Sequence, residues 1–286
     1  MRILITGVGG PAGRNTSQLL LERGHTVVGT DMREVSLPGI EFRLIRAAHD
    51  PSFLENLHRL AMQEQVDLLI PTVTEELPIV AEGWSQWGDI PAMLGPYQAV
   101  FMANDKYLTA ERLASHGVTV PRYCLPSQVK SSDDITQALG WPCLSKPRVG
   151  RGGRGVTVWE ERDWPSLAAL DDRIVLQEFM PGTDYAPNVC VGRDGQTTVV
   201  VLEKTRLKEG IVGNAAEVLR ADAPEVAELA IAAAKAMGLV GPLDIDVRRR
   251  ADGKPAVLEI NARFGANIAF APEILDAALA DFGVAG

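Results

Sequence analysis

Two lysines, a glycine cluster and a set of acidic residues between positions 100 and 265 have the types and spacing to handle a phosphorylated ligand. Lys106 sits in Asn-Asp-Lys at the start of a helix, and Lys146 closes the short strand Cys-Leu-Ser-Lys. Two residues after Lys146 begins Arg148 to Gly155, with four glycines from Gly150 to Gly155. Backbone amides freed of side chains can fold over phosphate oxygens, with Arg151 or Arg154 adding charge. Taken singly, Lys146 also fits a surface lysine and the loop a solvated hairpin. Further on, Gln177-Glu178-Phe179-Met180 closes a strand and Asp184 follows six residues after Glu178. A carboxylate, an apolar pair with free backbone groups and a second carboxylate suit an adenine amino group, the adenine edge and ribose hydroxyls. Near the end, Asp244 and Asp246 alternate on one strand, and Glu259 and Asn261 on the next. Alternation places each pair on one face. Three oxygen ligands from paired strands are what magnesium takes alongside nucleotide phosphates, and a buried acidic cluster without a cation would be costly.

The elements that must hold these residues fall into an α/β part followed by an α+β part. Up to about residue 95, apolar strands alternate with helical stretches: Arg2 to Thr6, a helix from Gly13 to Arg23, Thr26 to Thr30, the amphipathic Ser52 to Gln63, Val66 to Pro71, and a short strand near Ala92 to Gly95. This pattern predicts an open, doubly wound parallel sheet. Asn104 is placed to cap a helix running to His116. Beyond it, strands are predicted at Thr119 to Cys124, Cys143 to Lys146, Val156 to Trp159, Ile174 to Phe179, Ala186 to Val191, Thr197 to Thr205, Leu243 to Arg249 and Lys254 to Ile260, with one helix from Pro224 to Met237. Strands adjacent without helices between them predict an antiparallel body.

A second glycine loop complicates the picture. Thr6-Gly7-Val8-Gly9-Gly10-Pro11-Ala12-Gly13 follows a strand, opens a helix and satisfies G-x-G-x-x-A, with Asp31 ending the second strand. Such a loop can bring backbone N–H groups to a pyrophosphate, which keeps an NAD(P)-dependent oxidoreductase in play. A tight turn that needs glycine for close packing explains the same letters. None of Tyr97, Tyr107, Tyr123 and Tyr185 has a lysine four residues on, so the tyrosine–lysine pair of short-chain dehydrogenases is missing, and no Walker A sequence occurs.

Composition narrows the classes further. The 286 residues carry 28 Lys and Arg against 37 Asp and Glu, a net charge of −9, which argues against a nucleic-acid surface. No apolar run reaches the ~18 residues of a membrane span, and no signal peptide opens the chain, so a cytoplasmic protein without membrane partners is expected. The cysteines Cys124, Cys143 and Cys190 match no metal-binding spacing and are expected to be reduced and buried.

In the order of these motifs the chain resembles the ATP-grasp superfamily, and its ITGVGG opening and EINAR ending look most like the carbamoyl-phosphate-synthetase-like branch of carboxylate-amine ligases. The resemblance implies a Rossmann-like pre-ATP-grasp domain at 1–100, a small lid domain at 101–175 and an antiparallel catalytic domain at 176–286. It implies ATP with Mg²⁺ or Mn²⁺ as cofactors, Lys106 and Lys146 on the phosphates, and Gly152, Gly153, Arg154 and Gly155 as the covering loop. Glu178, Phe179, Met180 and Asp184 would hold adenine and ribose. Asp246, Glu259 and Asn261 would ligate the metal, and Arg263 would steady the transferred phosphoryl group. The implied reaction joins a small-molecule carboxylate to an amine through an acylphosphate, releasing ADP and phosphate; a kinase or a carbamoyl-phosphate-synthetase-like enzyme would keep the same ATP site. The stretch Arg206 to Ala216 is a candidate loop over the acceptor, with Arg206 its catalytic candidate. Only 23 residues follow Arg263, fewer than the family usually has, which implies an acceptor-binding end that is reduced or completed by a partner subunit; a homodimer is left open.

Overall fold

A computed structural model describes residues 1–88, 90–150, 152–208, 213 and 215–283. The first part is a parallel sheet: β1 (Arg2–Thr6), α1 (Pro11–Glu22), β2 (Thr26–Asp31), β3 (Ile40–Leu44), α2 (Phe53–Gln63), β4 (Leu68–Ile70) and α3 (Leu77–Gly83), with strand order β3-β2-β1-β4. Alternation along β1 sends Ile3 and Ile5 to one face and Leu4 to the other. Both faces are therefore covered, as a parallel sheet requires. Edge strand β3 escapes the sequence pattern because its residues are only partly buried. The short strand expected near Ala92 is a single bridge from Ala92 to Leu69.

Next come α4 (Tyr97–Asn104) and α5 (Lys106–Ser115). Asp105, not Asn104, caps α5: its carboxylate accepts from the N–H groups of Tyr107 at 2.9 Å and Leu108 at 3.3 Å. Asn104 instead ends α4.

A small antiparallel sheet follows, from β5 (Tyr123–Cys124), α6 (Ser132–Ala138), β6 (Cys143–Pro147), β7 (Thr157–Trp159), α7 (Trp164–Leu167) and β8 (Ile174–Glu178), in strand order β5-β8-β6-β7. The larger antiparallel sheet takes β9 (Asp184–Tyr185), β10 (Asn188–Val191), β11 (Thr197–Val200), β12 (Leu202–Leu207), β13 (Ala215–Arg220), β14 (Gly241–Arg249) and β15 (Pro255–Asn261), with α8 (Pro224–Met237) behind it and α9 (Pro272–Asp281) at the end. The run Thr197 to Thr205 divides into β11 and β12, and β13 is an addition to the expected strands.

Packing redraws the expected boundaries. Ala99, Val100, Ala103 and Leu113 of α4 and α5 share one core with α8, β14 and β15, so a cut at 100/101 divides a helix that belongs to the large sheet. A cut at 175/176 divides β8, whose five residues all pair with β6. Residues Ile274, Leu275 and Ala278 of α9 pack with Ile3 and Ile5 of β1, making a single core that joins the two ends of the chain. All three cysteines are free and buried, and burial pushes the thiols up, Cys124 to about 11 and Cys143 and Cys190 to about 12. Among the described residues no helix is long and apolar enough to cross a membrane.

Candidate active site

Between the small and large sheets lies a cavity of about 310 Å³, lined on one side by Leu144, Lys146, Gln177 and Met180 and on the other by Asp244, Asp246, Leu258, Glu259 and Asn261. A bulge builds the second wall. Asp246 pairs with Glu259, but the next residue, Val247, pairs with Val257, leaving Leu258 as the extra residue. Strict alternation would put Val257 on the side of Glu259 and Asn261. The extra residue instead lets Val257, Ile260 and Ala262 enter the core while Glu259 and Asn261 face the cavity. On β14, Leu243, Ile245 and Val247 are in the core, and Asp244, Asp246 and Arg248 face the cavity.

Three lysines converge on these carboxylates. Lys106 Nζ lies 3.1 Å from Glu259 and donates to the Gly150 carbonyl at 2.8 Å, tying the helix start to the glycine loop. Lys146, 8% exposed, donates to the Leu258 carbonyl at the bulge at 3.3 Å. Burial pushes its ammonium down to about 8, Lys106 adding to the effect, against the pull of Glu259 and Asp246. Lys204 on β12 reaches Asp246 at 2.5 Å and Asp184 at 3.3 Å. Burial disfavours its charge, but those two carboxylates outweigh the burial and raise it above the ordinary lysine range. Asp246 and Glu259 stand directly opposite each other on the paired strands. Burial drives the Asp246 carboxyl up, with Glu259, Asp244 and Asp184 as like charges around it. Glu259 goes the other way: burial is overcome by Lys106 and Lys146, which hold it well below the usual carboxylate range.

Other predicted residues sort into two groups. Lys106, Lys146, Gly152, Gly153, Arg154, Met180, Asp184, Asp246, Glu259, Asn261 and Arg263 line the cavity. Gly155, at φ +74°, lies against Pro147, where a Cβ would meet the ring at 2.9 Å, and is not part of the lining. Phe179 is likewise outside it. Glu178 points away: its carboxylate is clamped by Arg122 at 2.6 Å and Arg250 at 2.8 Å. On β8 the cavity face belongs to its neighbour Gln177, 4% exposed. Arg206 is 61% exposed and paired with Glu217 at 2.6 Å, outside the lining, whereas Lys208 is part of it. Of the loop Arg206 to Ala216, residues 209–212 and 214 lie outside the described residues, as does Arg151 of the glycine loop.

Lys204 is the main site residue that the sequence did not flag. It stands in Leu-Glu-Lys-Thr-Arg-Leu, which reads as the charged face of an ordinary strand, and only the two buried carboxylates facing it mark it out.

The N-terminal glycine loop closes another side through Pro11 and Asn15 of α1, Asn15 donating to the Ala266 carbonyl at 2.7 Å. Its own donors are turned inward. Gly9 N–H goes to Asp31 at 3.0 Å, Gly10 N–H to the Gly7 carbonyl at 2.9 Å and Val8 N–H to Thr30 at 3.1 Å. Asp31, the residue a dinucleotide ribose would need, also accepts from Arg33 N–H. The loop is a packed turn.

Two antiparallel sheets enclosing a lysine- and carboxylate-lined cleft, beside a parallel α/β domain, define an ATP-binding fold, and the comparisons agree. Residues 103–267, more than half of the chain, match the ATP-grasp domain family, and the chain belongs to it. It is similar to the D-alanine–D-alanine ligase of Gloeobacter violaceus, 27% identical over 223 residues that make up 70% of this chain and 72% of that protein. A cyanophycin synthetase of Trichormus variabilis is 31% identical over 125 residues, 40% of this chain but 13% of that protein's length. Among solved structures, the N5-carboxyaminoimidazole synthetase of Staphylococcus aureus complexed with ADP superposes with a TM-score of 0.75 at 19% identity, covering 100% of this chain and 78% of that one. The L-amino acid ligase of Bacillus licheniformis gives 0.70 at 18% identity over 94% and 68%. Both likenesses are of fold.

Proposed function

We propose that this protein is an ATP-dependent carboxylate-amine ligase, activating a small-molecule carboxylate as an acylphosphate and passing the acyl group to an amine, with release of ADP and phosphate. The observation that carries this reading is the convergence of Lys106, Lys146 and Lys204 with Asp246 and Glu259 in one buried cleft. Phosphoryl transfer needs positioning and charge neutralisation more than a covalent nucleophile, and that is the chemistry these groups supply. Leu144, Met180 and Leu258 offer apolar walls for a base, with the Gln177 amide at its edge and Asp184 near the ribose. Lys106, Lys146 and the Gly152–Gly153–Arg154 segment then fall to the phosphates. Arg263 is assigned to the transferred phosphoryl group.

The donor set fits a divalent cation. Asp246 and Glu259 are a cross-strand pair of buried carboxylates, and burial and like charges push Asp246 up against the pull of Lys204. A hard cation relieves that repulsion. Among the described residues no group of three acidic, histidine or cysteine side chains forms a metal cluster; the resemblance to the family assigns the third oxygen to the Asn261 amide, which lines the cavity. Asp246, Glu259 and Asn261 would hold Mg²⁺ or Mn²⁺, which when bound neutralises phosphate charge.

Two of the similar proteins are named for amino acids, which makes amino acids the first carboxylates and amines to test. Glu259→Gln and Asn261→Ala are expected to abolish ADP formation while circular dichroism and melting stay close to those of the parent. Full turnover in Glu259→Gln overturns the assignment.

A further inference from the structure

Beyond the phosphate-handling groups, the cavity holds one more acidic side chain. Asp244 is 14% exposed and lies on β14, lining the cavity together with Asn15, Asn267 and Phe270. Arg263 Nη1 donates to its Oδ2 at 2.8 Å and to the Phe264 carbonyl at 2.9 Å. Among the described residues Oδ1 has no hydrogen-bond donor. Glycine at 265 makes room for the carboxylate as a whole: a Cβ there would sit 2.6 Å from both Cγ and Oδ1 and 3.0 Å from Oδ2. Asn188, directly opposite Asp244 on β10 and 1% exposed, donates its Nδ2 to the Ala186 carbonyl at 3.0 Å, and its Oδ1 has no partner among the described residues. Two acceptor oxygens thus share one side of β14, Asp244 Oδ1 facing the cavity and Asn188 Oδ1 buried beside it.

We infer that Asp244 is the docking residue for the amine substrate, and that this substrate is a primary amine arriving as its ammonium ion. The inference rests on the ligase reading above. Asp184, Asp246 and Glu259 are each answered by a lysine, and the phosphates of the nucleotide call for cations. Asp244 is ion-paired through one oxygen, to Arg263, with Lys204 adding only a through-space charge. Its other oxygen offers a charge-assisted acceptor to a cation entering the cleft. Arg263 and Gly265 act as positioning residues, the first holding one oxygen and the second leaving space for the carboxylate. The amine is thereby gathered close to the acyl group; before its nitrogen attacks, the ammonium gives one proton to the Asp244 carboxylate that holds it, and the C–N bond then forms as the acyl–phosphate bond breaks, a second proton leaving with the phosphate.

The test compares two nucleophiles on one acyl donor. The protein is given MgATP and the protein amino acids as carboxylates, with either those same amino acids or hydroxylamine as the nucleophile. Hydroxylamine is uncharged at neutral pH and traps an activated carboxylate as a hydroxamate. In Asp244→Asn the ratio of amine-dependent to hydroxylamine-dependent product is expected to fall about tenfold or more, the size of one lost charge-assisted contact. Gly265→Ala, which crowds the Asp244 carboxylate without removing its charge, is expected to lower the ratio in the same direction. An unchanged ratio in Asp244→Asn, or an equal loss with both nucleophiles, overturns the inference and leaves the ligase reading standing. If the parent protein forms neither hydroxamate nor ADP with any of these carboxylates, it is the ligase reading that falls.

Discussion

Two glycine-rich loops border the same cavity and are built in opposite ways. In the N-terminal loop every glycine is crowded. Gly7 takes φ +66° with Val73 and Thr72 pressed against it, and a Cβ on Gly13 would lie 2.4 Å from the Gly7 carbonyl. The N–H groups of Gly9, Val8 and Gly10 go to Asp31, Thr30 and Gly7. In the loop from Gly150 to Gly155, the described residues 152–155 are exposed; Val156 N–H to the Gly153 carbonyl at 3.3 Å is a backbone tie within it, and Lys106 holds the Gly150 carbonyl. Glycine in the first serves close packing, and in the second it leaves backbone donors in solvent beside a cavity. The lesson is that glycine spacing reports a sharp turn, while the fate of the N–H groups decides whether an anion can be bound.

The largest effect that would break this contrast is on stability. Gly13→Val forces a side chain into backbone and is expected to cost ~3 kcal/mol or more, read as a lowered denaturation midpoint. A stable Gly13→Val would mean that the loop is not a packed turn. Ligand-dependent melting comes next: MgATP at about 100-fold its Kd is expected to stabilise by ~2.7 kcal/mol, and NADPH to give no shift. A shift with NADPH alone would exchange the roles of the two loops. Removing a cation beside the second loop should act on binding: Lys146→Met is expected to weaken MgATP by ~2 kcal/mol, about thirtyfold, in a calorimetric titration, with the fold retained. Smallest is Gly153→Ala, at φ +72°, which is expected to cost ~1 kcal/mol of stability for the left-handed backbone and to weaken ATP binding by a similar amount.

Much of the scaffold was legible because its periods are simple. The alternation Leu243, Asp244, Ile245, Asp246, Val247 announces a half-buried strand with acids on one face, and Pro224–Met237 coincides with the expected helix. The remainder depends on contacts distant in sequence. A one-residue choice moved the cavity-facing position from Glu178 to Gln177, because neighbouring residues on a strand face opposite sides and the acid is drawn off by Arg122 and Arg250. The bulge at Leu258 leaves no mark in Val-Leu-Glu-Ile-Asn, although it sets which residues face the cavity. Edge strand β3 and the cap at Asp105 were hidden for a related reason: partial exposure in one case, and in the other two adjacent residues, Asn104 and Asp105, equally fit to cap.

The most direct test of the central claim is the identity of the nucleotide product. Parent protein, MgATP, a reactive carboxylate and an amine are separated by anion-exchange chromatography after turnover. Lysines and carboxylates gathered around the terminal phosphates predict ADP and inorganic phosphate in equal amounts, matching the amide formed. AMP with pyrophosphate would contradict the acylphosphate account.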